Sequence, residues 1–357
     1  MFECFRNKKI IITGHTGFKG SWLLAFLSTL DCKIYGISNK IPTKPSHYKL
    51  LKIKKNFKNI TLDIRNKKNL KKIFKKIQPD FVFHLAAQSL VKTAYNYPEL
   101  TFNTNAIGTL NVLEALREVK KKCNAILITS DKSYKNIEIS RGYRETDLIG
   151  GDDPYSASKG CAELIISSYV KSFFLKKNIN IVIARAGNVL GGGDWSKDRL
   201  VPDCIKSWVK NKAVTIRNPN STRPWQHVIE IIYGYLLLAK NLDQNKNLHG
   251  EVFNLGPDQK SNYSVLWVLN YFKNQWEKCK WKIKKIKTKE KESKLLNLNA
   301  NKAKKILKWE TRLSLEETLV MTLDWYKSFY VGRKNNMYEI TIEQIKKYKK
   351  LIKNKKI

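Results

Sequence analysis

Short apolar runs alternate with longer stretches of helical periodicity through the first half of the chain. The apolar runs lie at residues 9–14, 33–38, 60–63, 81–86, 125–129 and 179–184. The stretches whose apolar positions recur every three or four residues lie at residues 67–77, 101–119 and 156–174. Strands that alternate with helices in this way form parallel sheets covered by helices on both faces. The pattern therefore predicts an α/β fold with a doubly wound parallel sheet.

The alternation breaks after Gly187. Gly191, Gly192 and Gly193 are consecutive, and residues 217–224 are rich in turn-forming types. We predict three parts: a sheet domain of residues 1–188 and 228–256, a smaller discontinuous α/β lobe of residues 189–227 and 257–330, and a Lys-rich tail of residues 331–357. The tail has helical spacing from residue 342 to residue 352.

The formal net charge of +38 comes mostly from lysine. The lysines are interleaved with Asn and Ile, whereas a nucleic-acid surface concentrates Arg and stacking aromatic residues on one face. We therefore interpret the charge as solvated faces and expect no nucleic-acid partner. No apolar run approaches the roughly 20 residues that span a bilayer, and the first residues lack the pattern of a cleaved signal peptide. These features predict a cytoplasmic protein without a membrane segment.

The six cysteines are scattered singly, without a CxxC pair or a Cys/His cluster. Disulfide frameworks and structural zinc sites need such groupings. We therefore expect free thiols and no metal site.

The first apolar run leads into a GxxGxxG pattern, Gly14-His15-Thr16-Gly17-Phe18-Lys19-Gly20, at the start of a predicted helix. Glycines let the backbone approach a pyrophosphate closely, and the N–H groups of the first helical turn point toward its negative charge. This strand–turn–helix context predicts a Rossmann-type dinucleotide-binding site.

The second predicted strand ends without the acidic residue that commonly binds the adenosine ribose of NAD. Ser38 or Asn39 can bond a ribose hydroxyl, whereas Lys40 can tolerate a 2′-phosphate, so this strand leaves NAD and NADP both open. Asp63, after the third predicted strand, fits two roles equally well: a contact to the adenine amino group or a helix N-cap.

Tyr155 and Lys159 form a YxxxK pair, one turn apart on a predicted helix. An ammonium at that spacing lies beside the phenol, is expected to lower the pKa of the phenol, and can also reach the nicotinamide ribose. The phenolate can then take the proton of a substrate hydroxyl as hydride leaves for the cofactor.

The motifs of the chain follow one another in the order typical of one family. They are TGHTGFKGSWL at residues 13–23, HLAAQ at 84–88, TNAIGTLNVLEALR at 104–117, TSDK at 129–132, DPYSASKGCAEL at 153–164 and RAGNVLGGGDW at 185–195. The chain resembles the extended short-chain dehydrogenase/reductase family over about residues 10–330. Within that family, the triplet Ser130-Asp131-Lys132 and the segments GGDDPYSASKGCAE, NVLGGGDWSKDRLVPD and IRNPNSTRPWQHV are similar to the CDP-glucose 4,6-dehydratases. In those enzymes Lys stands where related dehydratases carry Glu.

The resemblance implies NAD as the cofactor, CDP-glucose as the substrate, and a homodimer or homotetramer. It assigns cofactor binding to Gly14, Thr16, Gly17, Phe18, Lys19, Gly20, Ser38, Asp63, Ile64, Leu85, Ala86, Ala87, Asn105, Tyr155 and Lys159. It assigns substrate binding to Gln88, Asn188, Arg199, Leu200, Arg217, Arg223 and His227. It assigns catalysis to Ser130, Asp131, Lys132, Tyr155 and Lys159. Each of the three arginines fits a pyrophosphate contact and a structural ion pair equally well, and His227 fits a ligand contact and a buried structural role equally well.

The implied reaction has three steps. Tyr155, assisted by Lys159 and Ser130, removes the proton of the C4 hydroxyl while the C4 hydride passes to NAD⁺. Asp131 and Lys132 then expel water across C5 and C6, which requires a raised pKa for the acid and a lowered pKa for the amine, and the hydride finally returns to C6. Two alternatives stay open: a dTDP-, UDP- or GDP-sugar dehydratase or 4-epimerase of the same family, and a catalytically silent binder of sugar nucleotides or nucleic acid.

Overall fold

The computed structural model describes residues 2–257, 262–284, 296–332 and 336–354. The strands within these ranges are β1 (Lys9–Thr13), β2 (Lys33–Ser38), β3 (Phe57–Thr61), β4 (Phe81–His84), β5 (Cys123–Ile128), β6 (Ile179–Ala186), β7 (Val189–Leu190), β8 (Val214–Ile216), β9 (Thr222–Pro224), β10 (Gln226–His227), β11 (Val252–Leu255), β12 (Asn262–Ser264) and β13 (Trp281–Ile283). The α-helices are α1 (Phe18–Leu27), α2 (His47–Leu51), α3 (Lys67–Ile77), α4 (Val91–Asn96), α5 (Pro98–Phe102), α6 (Gly108–Leu116), α7 (Pro154–Tyr169), α8 (Leu200–Trp208), α9 (Val228–Gln244), α10 (Val265–Gln275), α11 (Leu315–Tyr330) and α12 (Met337–Asn354).

A seven-stranded sheet in the order β11-β6-β5-β4-β1-β2-β3 forms the centre of the molecule. All of its neighbouring strands run parallel. Consecutive strand residues face opposite cores: Ile10 and Ile12 belong to one apolar cluster and Ile11 to the other. Both faces are therefore covered, which confirms the predicted doubly wound fold. The strand order reverses between β1 and β4, and ligands of such sheets bind beyond the carboxyl ends of the strands at that point.

Two predicted helices differ from the observed ones at their ends or in their continuity. The stretch predicted at residues 101–119 is interrupted by one π-helical turn, Asn103–Ile107, before α6 begins. Helix α7 begins at Pro154 because Asp153 caps it: the Asp153 carboxylate accepts hydrogen bonds from the first free N–H groups of the helix. This cap sets the position of the Tyr155–Lys159 turn.

The second half of the chain adds to the sheet and also builds small ladders beside it. Helix α9 and strand β11 return to the central sheet, where β11 pairs with β6. Short pairs of strands form elsewhere: β7 with β10, β8 with β13, and β9 with β12. The division of the chain into a sheet domain and a smaller lobe stays a prediction.

The predicted Lys-rich tail contributes a packed helix. Helix α12 lies against α1, α2 and α11, with Ile345 fully buried and Tyr348 almost so. Among the described residues, no helix combines the length and the apolar character needed to cross a membrane. The cytoplasmic location stays a prediction.

Candidate active site

The glycine loop after β1 is shaped by close backbone contacts. Gly14 has a φ of +77°, and a Cβ atom there would lie 2.6 Å from the backbone nitrogen of Ala86. A Cβ atom at Gly20 would lie 2.1 Å from the carbonyl oxygen of Gly14. Gly17 is the N-cap residue of α1 and carries no side chain that could cap it. The loop therefore leaves the first turn of α1 open to a negatively charged group, as a pyrophosphate requires.

The buried side chain of His15 holds this loop against β2 and β3. Its fully buried ring lies within hydrogen-bonding distance of Asn59 (Nε2 to Oδ1, 2.8 Å) and of Ser38 (Nδ1 to Oγ, 3.0 Å). Burial lowers the pKa of His15, so the ring is neutral at neutral pH. The hydroxyl of Ser38 also accepts a longer hydrogen bond from the backbone of Thr16. Ser38 thus couples the end of β2 to the glycine loop, and His15 is a supporting residue that the sequence analysis did not single out.

Asp63 follows β3 and is paired with Arg65. The guanidinium of Arg65 donates to both carboxylate oxygens at 3.0 and 2.8 Å, and Asn39 donates a further hydrogen bond. These bonds, chiefly those from Arg65, hold the pKa of Asp63 at about 2. The N-cap of α3 is Asn66, not Asp63. The helix-cap interpretation of Asp63 is therefore wrong, because the chain makes a turn through Arg65 before the helix begins.

The loop after β4 is fixed by an amide network. Asn105 accepts a hydrogen bond from the backbone of Gln88 at 2.8 Å, and it donates to the hydroxyl of Ser158 on α7 at 2.9 Å. The side chain of Gln88 bonds to Leu90 and Thr101. The side chains of both predicted ligand residues therefore hold the loop, in which the backbone of Leu85 and Ala86 lies beside Gly14.

The predicted catalytic residues converge at the carboxyl end of β5. A short 3₁₀ turn, Asp131–Ser133, packs against α7. The hydroxyl of Ser130 donates to the Asp131 carboxylate at 2.9 Å and is also hydrogen-bonded to the phenol of Tyr155. The structure thus brings Tyr155, Ser130 and Asp131 into one continuous hydrogen-bonded chain. Lys132 is half-buried in the same turn.

The pKa of Tyr155 is raised to about 12, mainly because the phenol is buried, although the hydrogen bond with Ser130 acts in the opposite direction. The YxxxK spacing predicted a lowered pKa for Tyr155, and this lowering is not observed in the free protein. Lys159, which is 7% exposed, has its pKa lowered to about 8 by burial. An amine near this value changes its charge close to neutral pH and is suited to controlling a neighbouring phenol.

Positive charge is concentrated around this turn. Burial lowers the pKa of Lys19 to about 8, and the nearby guanidinium of Arg199 adds to the effect, whereas Asp131 opposes it. The Arg199 guanidinium donates to the Asp194 carboxylate at 3.0 Å. Lys19, Lys159 and Arg199 therefore approach the same region from three different elements, an arrangement suited to the phosphates of two nucleotides.

Residues 191–195, which we call the glycine strap, cross over the glycine loop. The indole of Trp22 on α1 donates to the carbonyl of Gly192 at 2.9 Å, and the hydroxyl of Tyr326 on α11 donates to the carbonyl of Asp194. The ring of Trp325 fills the space where a side chain at residue 192 would lie. The strap is thus held at its backbone from both sides.

Further contacts connect the strap and its neighbour His47 to α11 and α12. The indole of Trp195 donates to the hydroxyl of Tyr330 at 2.9 Å. A small cavity lies between the strap and the glycine loop, and its lining includes Gly17, Gly193 and His47. The Nε2 atom of His47 lies 3.1 Å from the hydroxyl of Thr341 on α12. The cover over the glycine loop is therefore built on α11 and α12.

Apart from Gln88, the predicted substrate residues lie on several segments of the second half of the chain. Arg199 and Leu200 lie at the start of α8, near the catalytic turn. Arg217 and Arg223 are half-buried near β8 and β9, and neither forms an ion pair with a carboxylate among the described residues. Asn188 is half-buried just before the strap.

His227 does not fit the predicted contact with substrate. Its ring is fully buried, its Nδ1 atom accepts a hydrogen bond from the backbone of Ile229 at 3.2 Å, and it packs edge-on against Trp22. The residue caps the start of α9. His84 is likewise structural: its two ring nitrogens bond to the hydroxyls of Thr13 and Thr109.

The residues around the glycine loop fit a dinucleotide cofactor. The fit rests on the uncapped N-terminus of α1 and on the close packing that only glycine permits at residues 14 and 20. It also rests on Tyr155 and Lys159, which belong to α7, the helix packed against the turn that follows β5. Within the described ranges, no group of three or more His, Cys, Asp or Glu side chains is arranged to hold a metal ion.

The sequence matches the family model described as GDP-mannose 4,6 dehydratase over residues 11–322. The CDP-glucose 4,6-dehydratase of Salmonella typhimurium is 38% identical over 334 residues, which cover 92% of this chain and 93% of that protein. The UDP-glucuronic acid 4-epimerase of Bacillus cereus, solved with UDP-glucuronic acid and NAD, is similar with a TM-score of 0.78 and 27% identity, covering 90% of this chain and 100% of that one. The epimerase Mth375 of Methanothermobacter thermautotrophicus has the same fold, with a TM-score of 0.81, 23% identity, and 93% and 96% coverage.

Proposed function

The chain belongs to the GDP-mannose 4,6-dehydratase family, and we propose that it converts CDP-glucose into CDP-4-keto-6-deoxyglucose and water with NAD as its cofactor. The observation that carries the proposal is the hydrogen-bonded chain from Tyr155 through Ser130 to Asp131, with Lys132 in the same turn. A phenol alone suffices for oxidation at C4. The added carboxyl and amine supply the acid and base that water elimination requires.

NAD, when bound, would supply the hydride acceptor for oxidation at C4 of the sugar and the hydride donor for C6. The uncapped first turn of α1 would hold its pyrophosphate, with Lys19 nearby. Asp63 and Ile64 would contact the adenine, and Lys159 the nicotinamide ribose. NAD is also the cofactor named in the complex of the Bacillus cereus relative.

Tyr155 would act as the base for the C4 hydroxyl. In the free site its phenol is protonated at neutral pH, because burial raises its pKa to about 12. The positive charge of Lys159, together with that of the cofactor ring, favours the phenolate once substrate is in place. Ser130 is hydrogen-bonded to the phenol in the free site and orients its oxygen.

Asp131 and Lys132 would then carry out the elimination. Oxidation at C4 makes the C5 proton acidic, so an amine can remove it. The Asp131 carboxyl, almost fully buried beside Gly187, would donate the proton that leaves with the C6 oxygen as water. The 4-keto intermediate is reactive, so we expect the site to exclude bulk water once the sugar is bound.

The cytidine diphosphate is proposed from the Salmonella typhimurium relative and from Arg199, Arg217 and Arg223, whose guanidinium groups suit a pyrophosphate. The test is incubation of the purified protein with CDP-, UDP-, dTDP- and GDP-glucose, each with NAD⁺, followed by identification of the products. We expect a 4-keto-6-deoxy sugar from CDP-glucose at a rate at least about tenfold above the others. A 4-epimer without water loss, or a preference for another nucleotide, contradicts the proposal.

We also propose a homodimer formed by α6 and α7, with a tetramer built from two such dimers. Exposed apolar side chains lie on or next to these helices, among them Leu164 (62% exposed), Ile107, Phe173 and Leu100. Clusters of this kind on a folded chain are typical of protein interfaces, and a two-fold axis would pair each helix with its copy.

A further inference from the structure

The catalytic helix carries a third functional side chain on the same face. Tyr155, Lys159 and Glu163 are spaced four residues apart on α7, so they follow one another along one side of the helix. Glu163 is 1% exposed. A buried carboxylate is costly unless several donors satisfy it.

Glu163 has such donors, and they come from two segments, the end of β5 and strand β6. The hydroxyl of Thr129 donates to its Oε1 atom at 2.6 Å. Arg185 on β6 donates from Nε to both carboxylate oxygens, at 2.9 and 3.0 Å, and from Nη2 to Oε2. Thr129 is the residue directly before Ser130, so the carboxylate joins the end of β5, the catalytic helix and β6.

The other end of the catalytic turn is fixed to the same ion pair. Tyr134 follows the turn, and the Arg185 guanidinium lies 4.4 Å from the centre of its ring. The hydroxyl of Tyr134 donates to Asn254 on β11 at 2.8 Å. Because both Thr129 and Tyr134 are held, the segment between them has little freedom to move away from α7.

The charge of Glu163 also acts on Lys159. Burial lowers the pKa of Lys159, and the carboxylate of Glu163 one turn away opposes that effect. The lysine has to stay protonated at neutral pH in order to stabilise a phenolate at Tyr155. Glu163 forms its ion pair with Arg185, and its negative charge acts on Lys159 from one turn further along the helix, out of reach of solvent.

We propose that Glu163 is a positioning residue of the dehydratase site, which holds the Ser130–Lys132 turn against the catalytic helix and serves as the counterion that keeps Lys159 charged. This inference rests on the proposed function for the role of the turn. The counterion role follows from the helix geometry and can be tested without any substrate.

The first test is the pH profile of cofactor reduction by nucleotide sugar in a single turnover. Glu163→Gln keeps the size of the side chain and removes its charge, so we expect the basic limb of the profile to move down by about one pH unit. Thr129→Val is the matched control, because it removes a donor to the same carboxylate and leaves its charge. Thr129→Val should lower the rate of cofactor reduction several-fold and leave the pH of the basic limb unchanged.

The second test measures the affinity for NAD⁺ between about pH 6 and 10, by quenching of tryptophan fluorescence, with no sugar present. Protonated Lys159 would donate to the ribose of bound NAD⁺, so the affinity of Glu163→Gln for NAD⁺ should fall at lower pH than that of the parent, by up to about tenfold near pH 8 to 9. The double variant Glu163→Gln/Arg185→Met removes both buried charges together and should show the same direction. It keeps the test available if the single variant does not fold, since paired removal is better tolerated.

The proposal is overturned if both Glu163→Gln and the double variant keep the parental pH dependence of NAD⁺ affinity. It is also overturned if Thr129→Val moves the basic limb of the pH profile as far as Glu163→Gln does, because loss of the carboxylate charge would then not be the cause of the shift. If the parent protein reduces no cofactor with any nucleotide sugar, the proposed function fails, while the NAD⁺ titration still decides the counterion role.

Discussion

The hydroxyl of Tyr348 on α12 donates a hydrogen bond to the carboxylate of Glu230 in the first turn of α9. The other carboxylate oxygen accepts hydrogen bonds from the backbone of Arg312 and Leu313, both at 2.7 Å. Three segments of the second half of the chain therefore meet at one buried carboxyl. Burial raises the pKa of Glu230 to about 7, although the three donors act in the opposite direction.

The stability of the protein should depend on pH through this group. Because the folded pKa lies above the unfolded value of 4.5, the stabilisation is fully present below that pH and is lost as the pH rises through about 7. We expect Glu230 to lower the free energy of unfolding by up to about 3 kcal/mol over this interval. Urea unfolding of the parent and of Glu230→Gln at about pH 5 and 8 measures the difference.

Glu343→Gln, at an exposed position on α12, is the control and should keep the parental pH dependence. The interpretation fails if the free energy of unfolding of Glu230→Gln changes between pH 5 and 8 as much as that of the parent. Tyr348→Phe removes a donor that lowers the pKa of Glu230. The stability of this variant should therefore continue to fall at higher pH than that of the parent.

Replacement of Tyr155 by Phe should stop the oxidation at C4. The substitution removes the base and leaves the ring, so cofactor reduction is expected to fall by about 10²- to 10⁴-fold. The near-ultraviolet absorbance of reduced nicotinamide in a single turnover measures it. Tyr169→Phe, on the same helix, removes only a hydrogen bond to Glu114 and should stay near the parental rate. Comparable rates for the two variants would show that a group other than Tyr155 removes the proton of the C4 hydroxyl.

Replacement of Lys132 by Ala should separate oxidation from elimination. Cofactor reduction is expected to persist in part, whereas water loss falls by about 10²-fold or more because the base for C5 is missing. Reduced cofactor should then accumulate on the protein while no 4-keto-6-deoxy sugar forms. Lys135→Ala, three residues further along and exposed, is the control. Water loss at the parental rate in Lys132→Ala would show that the base lies elsewhere.

Arg199→Lys should weaken substrate binding more than turnover. The substitution keeps the charge near Asp194 but loses the planar, bidentate donor geometry that suits a pyrophosphate. We expect KM to rise by about tenfold with kcat changed by less than about threefold. Arg141→Lys, in an exposed pair with Asp147, should change neither constant. An unchanged KM in Arg199→Lys removes this residue from the substrate site.

Leu164→Asp should weaken the proposed dimer. Each copy would place a carboxylate in the apolar contact, so the loss is expected to be about 2 kcal/mol or more per dimer. Sedimentation velocity over a range of concentrations measures it. Leu148→Asp, at an exposed position outside these helices, is the matched control. A parent protein that sediments as a monomer, or a Leu164→Asp variant that stays dimeric, contradicts the interface.

Local patterns predicted the elements that depend on neighbouring residues in the sequence. Helix α3 has the predicted bounds, because Leu70, Phe74 and Ile77 recur at helical spacing and all three are buried. Strand β2 also has the predicted bounds. The glycine loop and the YxxxK turn could be recognised because backbone geometry and helical spacing determine both.

Contacts between distant segments could not be read from such patterns. Arg185 lies 22 residues from Glu163, and the pair forms only because β6 runs beside β5 under α7. A signal was nevertheless present: Glu163 is acidic within an otherwise apolar turn and follows Lys159 by four residues. The raised pKa of Tyr155 depends on burial by the whole fold, which spacing along one helix does not reveal.

The glycine strap links the first ligand-binding residues of the chain to the last helices. The strap is anchored by Tyr326 and Trp195–Tyr330, and its neighbour His47 is held by Thr341. During synthesis on the ribosome, the loop at residues 14–20 emerges first, yet its cover requires α11 and much of α12. We expect the glycine loop of a nascent chain that lacks those helices to exchange dinucleotide with the surrounding pool, and the nucleotide to be trapped only after both helices have packed against the strap.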